Sequence, residues 1–202
     1  MRRARVFALA LLLLLACALP VGSARAAVAH HDNVATAITQ TDGDSVSDFA
    51  WGISRQSGGD LVDQLNAAHA VASCTDCRAT AVAFQIVLVS GSPATVSPRN
   101  IAEALNVECT RCVAVAEARQ FVRVVDQPVK FTRAGTRELR DVRRDLRTLV
   151  RQDLSPADLH TAVEGEEARV REVLNDDLVA RSDPDTEADV LEAELLQSAD
   201  RG

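Results

Sequence analysis

The sequence predicts an α+β fold in which an N-terminal three-stranded antiparallel meander packs on a four-helix, disulfide-clamped helical part. Three observations lead to this prediction. Alternating small and β-branched residues with turn signals occupy residues 33–72, two Cys-x-x-Cys pairs lie symmetrically about position 93, and apolar residues recur at helical spacing from residue 133 onward. No internal repeat is evident beyond the twin cysteine pairs.

The first 26 residues are predicted to be a signal peptide. Arg2, Arg3 and Arg5 precede the uncharged apolar run Val6–Ala16, and Ala24-Arg25-Ala26 supplies a small-x-small cleavage site. The apolar run is shorter than the roughly 20 residues that a membrane-spanning helix needs. We therefore expect a secreted or extracytoplasmic protein with no transmembrane segment after signal cleavage.

A bacterial lipoprotein box is the alternative reading of the same segment. Leu14-Leu15-Ala16-Cys17 has the pattern of such a box, which would leave the chain lipid-anchored at Cys17. The cleavage site downstream and the position of Cys17 inside the apolar stretch favour plain export.

The charge of the exported chain limits its partners. Residues 1–26 contain four arginines and no acid, so their removal takes the formal net charge from −7 to −11. Such an acidic chain is a poor candidate for binding nucleic acid, whose affinity comes from neutralising phosphates. We expect an unknown protein or cell-envelope component as partner, bound by a single domain at 27–182 that is followed by an acidic tail at 183–202, flexible or a short helix.

The meander is predicted from three runs and two turns. Asp42-Gly43 is a hairpin signal, because both residues tolerate the positive φ of a type I′ turn. Phe49, Trp51 and Ile53 share one face at a period of two, which predicts that this face is buried. The three strands are expected at Asn33–Gln40, Ser45–Arg55 and Leu61–Ala72, with Gly58-Gly59 as the second turn.

Two helices are predicted around the cysteines. Ser73 and Asp76 resemble a capping box that would begin a helix over Cys74–Val89, although the β-branched content makes a buried strand the alternative. Ser97 followed by proline predicts the start of a second helix, Pro98–Val124, whose cysteines would face the core.

Two further helices follow. Apolar residues at 3-4-3 spacing predict a helix over Arg133–Gln152, and Ser155-Pro156 caps the next one, which Asp183-Pro184 ends. The opposite face of the first carries a possible interaction face of Arg137, Arg140, Arg144, Arg147 and Arg151. Such a face would dock an acidic partner, for example an anionic envelope polymer. The alternative is a solvated helix face, partly neutralised by Glu164, Glu166, Glu167 and Glu172.

Disulfides are the first interpretation of the four cysteines, since export leads to an oxidising compartment. If the chain folds as a hairpin about position 93, Cys77 comes beside Cys109 and Cys74 beside Cys112. The mirror spacing therefore favours the bridges Cys77–Cys109 and Cys74–Cys112. The inner bridge would stabilise the fold by about 3–4 kcal/mol.

Two other chemistries fit the same cysteines. Cys74, Cys77, Cys109 and Cys112 have the ligand number and local spacing of a structural zinc site. Alternatively, a Cys-x-x-Cys at a helix N-terminus lowers the pKa of its first thiol, as in thiol-disulfide oxidoreductases. The sequence otherwise predicts no cofactor and no bound metal.

No catalytic residue is identified. The chain has no His-Glu-x-x-His, no Gly-x-Ser-x-Gly, no P-loop and no Gly-x-Gly-x-x-Gly. His69 is expected to be a satisfied, half-buried histidine, and His160 a solvated one. Whether the protein is an enzyme stays open, with the absent motifs arguing against it.

Several segments resemble a poorly characterised family of exported bacterial proteins that are often labelled peptide zinc metalloproteases. They are Asn66–Cys77, Ala83–Val89, Glu108–Cys112, Gln120-Phe121 and Pro128–Gly135, and the likeness covers residues 33–150. The label implies zinc-dependent proteolysis, but its His-Glu-x-x-His motif is absent here and no catalytic residue transfers. The resemblance implies that the twin cysteine pairs belong to a recurring module.

The sequence thus predicts a secreted, disulfide-stabilised structural or interaction module at the bacterial cell envelope. The first alternative is a zinc-binding, four-cysteine accessory or peptidase-associated protein. The second is a thiol-disulfide oxidoreductase.

Overall fold

The computed structural model describes residues 32–57 and 61–181. Within them the chain forms eight strands and two helices. The strands are β1 Asn33–Thr39, β2 Ser45–Ser57, β3 Leu61–Ala72, β4 Arg78–Ser90, β5 Thr95–Asn106, β6 Val113–Val125, β7 Val129–Phe131 and β8 Leu178–Ala180. The helices are α1 Arg133–Leu149 and α2 Pro156–Asp176.

The first six strands form two parallel sheets. One sheet has the order β1-β3-β5 and the other β2-β4-β6, so the chain passes from one sheet to the other after every strand. Paired residues lie about one coil apart in sequence, as in Asn33 with Asn66 and Arg78 with Val113. The result is a short solenoid of three stacked coils, which consist of β1 and β2, β3 and β4, and β5 and β6.

The predicted antiparallel meander is therefore wrong. Asp42-Gly43 does make a turn between β1 and β2, but these strands lie in different sheets and do not pair with each other. The turn is a corner of the solenoid rather than a hairpin. Alternation within one strand looks the same in both arrangements, because pairing partners are chosen by the whole fold.

The predicted helix over Cys74–Val89 is strand β4. Its alternate residues Val82, Phe84 and Ile86 are buried on one face, while Ala81, Ala83 and Val87 are buried on the other. A strand covered on both faces reads as a continuous apolar run, which is also how a fully buried helix reads. The buried strand that the β-branched content had suggested is the correct assignment.

The predicted helix over Pro98–Val124 is also wrong, because this segment forms most of β5, a turn that contains Cys109 and Cys112, and most of β6. Ile101 and Leu105 are four residues apart, a spacing that fits one face of a helix but also keeps two residues on one face of a strand. Pro98 is compatible with β5 because its missing N–H would point away from β3. This direction follows from the hydrogen bond of 2.9 Å between the Val107 N–H and the Ala72 carbonyl.

Of the predicted four-helix part, the described residues contain two helices, which begin at the predicted places. The second ends at Asp176, before the predicted end at Asp183-Pro184, because Leu178–Ala180 forms β8 and pairs with β7. Thr132 and Ser155 cap the two helices, each accepting a hydrogen bond from a backbone N–H three residues on. The helices run antiparallel and cover the β2-β4-β6 sheet, which we name the covered sheet. The covering residues are Leu139, Val142, Leu146, Leu159, Val163 and Val170, and they share one core with Trp51, Ile53, Phe84 and Phe121.

The predicted burial of the Phe49, Trp51 and Ile53 face is confirmed, since Trp51 and Ile53 are buried and Phe49 packs against the same core. Strand β7, which precedes α1, pairs antiparallel with β8, which follows α2. The other sheet, β1-β3-β5, carries no helix among the described residues on its outer face, and we name it the exposed sheet.

The residues that fill the space between the two sheets change from small near the corner with the cysteines to larger at the far end. Close to the corner the space is filled by alanines, including Ala35, Ala70 and Ala81, all fully buried. Farther away Val62, Val87 and the amide side chains of Gln64 and Gln85 take their place. Because interiors are close-packed, we infer that the sheets lie closer together where alanines fill the space.

An asparagine ladder crosses this interior. The Asn33 Nδ2 donates to the Asn66 Oδ1 at 2.7 Å, and the Asn66 Nδ2 donates to the Asn100 Oδ1 at 2.8 Å. The same amides reach the covered sheet, where they bond backbone carbonyls that include those of Phe84 and Ala118. The ladder thus joins the three coils and the two sheets with one set of side chains.

Gly52 makes room for the first member of this ladder. Coils two and three have Gln85 and Gln120 in register with it, and the Gln120 Nε2 donates to the Gln85 Oε1 at 2.7 Å. A Cβ at Gly52 would lie 3.1 Å from the Asn33 Oδ1. A side chain there would therefore require the Asn33 amide to shift by a few tenths of an ångström.

The predicted signal peptide at 1–26 and the acidic tail at 183–202 lie outside the described residues. Among the described residues, neither helix combines the length and the apolar character that crossing a membrane requires.

We predict that Asn66→Ala lowers the free energy of unfolding by about 2–4 kcal/mol, because carbonyls that Asn66 satisfies would be left buried without a donor. Asn100→Ala is the matched control, since Asn100 belongs to the same ladder but is exposed, and water can replace its amide. We expect a loss of about 1 kcal/mol or less there. Urea denaturation measures both, and equal losses would contradict a buried structural role for the ladder.

Candidate functional site

The cysteines lie at one corner of the solenoid, where each coil passes from the exposed sheet to the covered sheet. Gly43, Asp76 and Arg111 occupy equivalent places in the three turns, with φ of 72°, 55° and 56°. The turns are stacked by backbone bonds, because the Gly43 N–H donates to the Thr75 carbonyl and the Asp76 N–H to the Thr110 carbonyl, both at 2.9 Å. Only the first turn places a glycine in this left-handed conformation.

Each disulfide closes one of the two turns that lack glycine. The structure joins Cys74 to Cys77 and Cys109 to Cys112, with a Cα–Cα distance of 6.0 Å in both. A left-handed conformation costs a non-glycine residue about 1–2 kcal/mol. The bridge holds the turn in that conformation, and closing so short a loop contributes about 2 kcal/mol in the chain-entropy description.

The predicted bridges Cys77–Cys109 and Cys74–Cys112 differ from the pairing in the structure. They rested on a helical hairpin that would bring residues equidistant from position 93 together. In the parallel solenoid, residue 75 instead faces residue 110, so Cys74 stacks near Cys109 and Cys77 near Cys112. Mirror-related cysteines are therefore no longer the natural partners, and the partner within each turn is close enough to bond.

Charged groups reinforce the same corner. Arg111 pairs with Asp76 of the turn below it through two hydrogen bonds, which lower the pKa of the Asp76 carboxyl. Asp42 of the first turn accepts a bond of 2.7 Å from the Thr75 N–H. The cysteine turns are thus fixed by covalent, ionic and backbone interactions, and Cys74 and Cys77 are buried.

The zinc alternative can be compared with this corner. Zinc is bound by thiolates, and in the observed disulfides each sulfur is bonded to another sulfur. No group of three or more His, Cys, Asp or Glu residues in the described part of the chain is arranged to hold a metal ion. Reduction would leave four thiols on two stacked turns, so the zinc alternative concerns the reduced protein.

A buried carboxylate paired with a histidine was not foreseen from the sequence. Glu117 on β6 is only 9% exposed, and its Oε1 lies 2.9 Å from the His160 Nδ1 on α2. Its other oxygen pairs with Arg119, which also bonds Glu167. The hydrogen bond from His160 to Glu117, aided by the charges of Glu117 and Glu164, raises the pKa of His160.

This pair has the groups of an acid-base site but forms a structural contact between α2 and β6. Both oxygens of Glu117 are engaged, and the ring of His160 is bonded at both nitrogens, to Glu117 and Glu164. The signal for it was the alternation of β6, which places Glu117 on the same face as Val115 and Phe121. The prediction of a helix over Pro98–Val124 did not place these three residues on one strand face.

The predicted arginine face lies on α1, except for Arg151, which follows the end of the helix. Four of its members are exposed, namely Arg137, Arg140, Arg144 and Arg151. Arg147 differs, because its guanidinium lies 5.9 Å from the ring centroid of Phe49 and is partly buried. Arg144 pairs with Asp141 of its own helix at 2.8 Å. The five arginines therefore do not form one uniform surface.

Three of the four acids of α2 that the alternative named pair with groups outside this arginine face. Glu166 pairs with Arg169, Glu167 with Arg119 and Arg171, and Glu164 with His160. Arg169 also bonds Glu138 and Asp145 of α1. The ion pairs thus stabilise the contact between the helices and the covered sheet.

A cavity of about 160 Å³ lies where α1 meets the first coil. Asp48, Trp51, Arg143 and Arg147 are among its lining residues. The Trp51 Nε1 has no hydrogen-bond partner among the described residues, although the side chain is buried. Acids and cations both line the cavity, so its chemistry does not select one class of ligand.

The outer face of the exposed sheet is its most distinctive surface. In-register rows place Val34 beside Ala67 and Ile101, and Ile38 beside Val71 and Leu105. Val34, Ile38, Ile101 and Leu105 are 44%, 53%, 43% and 44% exposed. A polar row between them contains His69, half-buried as expected and 3.2 Å from Glu103. The face is thus an apolar patch divided by a polar row.

Comparison of the chain with models of protein families, with curated proteins and with solved structures gives no match.

We predict that both bridges form within their turns, and a tryptic map tests this. Cleavage after Arg78, Arg99 and Arg111 separates Cys74 and Cys77 from the other pair and cuts between Cys109 and Cys112. The peptide 56–78 should carry its own disulfide, while 100–111 and 112–119 should be joined to each other. Linkage of 56–78 to either of the other two would contradict the turn bridges.

We predict that part of the stability of the protein depends on the protonation of His160. The folded pKa is raised, so the stabilising contribution is present below the ordinary pKa of about 6.5 and is lost as the pH rises through the folded value. The urea midpoint of the wild type should fall as the pH rises from about 6 to about 8.

His160→Gln should flatten that decline, whereas Thr161→Ala, the neighbouring exposed position, should leave it unchanged. An equally steep decline in His160→Gln would show that the pair with Glu117 does not contribute.

Proposed function

We propose that this protein is an extracytoplasmic structural or interaction module of the bacterial cell envelope, which acts through a surface rather than through a reaction centre. The observation that carries the proposal is the contrast between its two sheets. Helices bury one face of the covered sheet, while the outer face of the exposed sheet presents Val34, Ile38, Ile101 and Leu105 to solvent. Apolar patches of this kind are typical of surfaces that bind other proteins.

The rigidity of the exposed sheet supports the proposal. Its strands are paired in register over their lengths and are tied to the covered sheet by the asparagine ladder. A preformed flat surface loses little conformational freedom when a partner binds. The expected partner is a protein that presents apolar side chains on both sides of a polar or charged row.

The cysteine corner supports an extracytoplasmic site of action. Two disulfides in a small domain are typical of oxidising compartments, and the N-terminal sequence has the pattern of an export signal. Lipid anchoring at Cys17 would serve the same role at a membrane surface. In this proposal the cysteines stabilise the scaffold and carry out no reaction.

Two alternatives have a basis in the same corner. The stacking of two Cys-x-x-Cys turns would bring four thiols together after reduction, which favours a zinc-binding accessory as the second candidate. An oxidoreductase would need one bridge that exchanges readily with an external thiol. Cys74 and Cys77 are buried, so the half-buried bridge between Cys109 and Cys112 is the one that such a reaction would use.

Site-specific photo-crosslinking tests the proposal in an exporting bacterium. Replacement of Ile38 by benzoyl-phenylalanine puts the probe on the outer face of the exposed sheet, and replacement of Thr161 puts it on the exposed side of α2. We expect a discrete adduct with another envelope protein from position 38, and none from position 161. A second substitution, Leu105→Asp, should abolish that adduct by placing a charge in the patch.

Two results would contradict the proposal. Equal adducts from positions 38 and 161, or none from position 38, would mean that this face is not a binding surface. Native mass measurement of the same material should show two disulfides and no zinc, whereas four thiols with one bound zinc would favour the zinc-binding alternative. An adduct with twice the mass of the chain reports self-association instead.

A further inference from the structure

We propose that the protein forms a twofold dimer in which the β5 strands of two copies pair antiparallel, edge to edge, and join their exposed sheets into one six-stranded sheet. The surface involved is the open edge of the third coil, which is distinct from the outer face discussed above. A monomeric protein would therefore leave the proposed function standing.

β5 is a long strand with one unpaired edge. It pairs with β3 over twelve residues and with no other strand among the described residues. The bond from the Val107 N–H to the Ala72 carbonyl shows that the odd-numbered residues of β5 direct their backbone groups at β3. The even-numbered residues Val96, Asn100, Ala102, Ala104 and Asn106 therefore direct their N–H and C=O groups at the open edge.

The end of the solenoid is open at this edge as well. Ala102 and Ala104 point between the sheets, where their equivalents Ala68 and Ala70 of the second coil are fully buried. In the third coil both alanines are exposed. Pairing of a second strand against β5 would cover these inward-facing alanines, since the paired strand continues the sheet.

The opposite edge of the solenoid is blocked. The outward Thr36 N–H of β1 donates to the Asp48 Oδ2 at 2.6 Å, so a carboxylate already occupies the edge of the first coil. Inward-pointing charges on edge strands prevent further strand pairing. Head-to-tail stacking of copies, which would need both edges, is therefore excluded, and the third-coil edge is left to pair with itself.

Charge complementarity selects one register. A twofold axis at Ile101 places Arg99 of each copy directly across from Glu103 of the other, and Asn100 across from Ala102. A register centred on Glu103 or on Arg99 would instead bring like charges together. The Ile101 register also pairs even-numbered with even-numbered residues, so that outward N–H and C=O groups meet. Pro98 is the one member of the edge that donates no hydrogen bond.

Sedimentation equilibrium of the full chain, with both disulfides formed, tests this arrangement over a micromolar concentration series. The wild type should be a dimer in equilibrium with a monomer. Ala102→Pro removes an outward N–H without breaking the pairing with β3 and should yield a monomer. Ile38→Pro makes the same change at the edge of the first coil and should leave the dimer unchanged.

Charge exchange tests the register without a proline. Arg99→Glu should raise the dissociation constant about tenfold or more, because it changes two cross-strand attractions into two repulsions. Glu103→Arg should do the same, and the double variant should restore the wild-type value.

Three results would overturn the proposal. A wild type that is monomeric at every concentration would mean that the edge is covered by other means. Assemblies that grow beyond two copies would contradict the twofold arrangement. Failure of the double variant to recover would contradict the register.

Discussion

In-register stacking of the coils is the constraint on which the rest of this structure depends. Each strand pairs with the equivalent strand of the next coil, so a slip of one residue would turn every inward side chain outward. The asparagine ladder fixes the register, because Asn33, Asn66 and Asn100 bond one another only when the coils are aligned. The small alanines near the corner allow the sheets to approach closely enough for those amides to reach the opposite backbone.

The cysteine corner provides the turns that this stacking requires in the second and third coils. Every coil must turn at the same place, and each turn has a residue in the left-handed conformation at the equivalent position, with Glu108 as a second such residue in the third turn. The first coil meets the requirement with Gly43, whereas the other two place Asp76 and Arg111 there and close the turn with a disulfide. The twin Cys-x-x-Cys pattern is therefore a consequence of the repeating coil, and the twin spacing need not indicate a shared reaction.

The positions of the helices determine which sheet faces remain exposed to solvent. The helices cover one sheet and leave the other exposed, so the two faces of the solenoid differ. The ion pairs of Glu117 with His160 and of Arg169 hold the helices in place. The exposed sheet retains its apolar rows and its open third edge because nothing in the described residues packs against them. The exposed apolar rows and the ion-paired helices thus lie on opposite sides of the molecule.

Local sequence patterns by themselves determined the helices α1 and α2, the capping residues, the corner at Asp42-Gly43 and the buried face of Phe49, Trp51 and Ile53, because these features depend on neighbouring residues. The sequence also contains a repeat that corresponds to the coils, as Asn33-Val-Ala-Thr-Ala, Asn66-Ala-Ala-His-Ala and Asn100-Ile-Ala-Glu-Ala. This repeat was not predicted. Only the tertiary structure decided that the strands pair in parallel, that each cysteine bonds within its own turn, and that Glu117 meets His160. The parallel pairing and the contact of Glu117 with His160 join residues 33 or more positions apart, whose partners local periodicity does not specify, and the cysteine turns are set by the stacking of the coils.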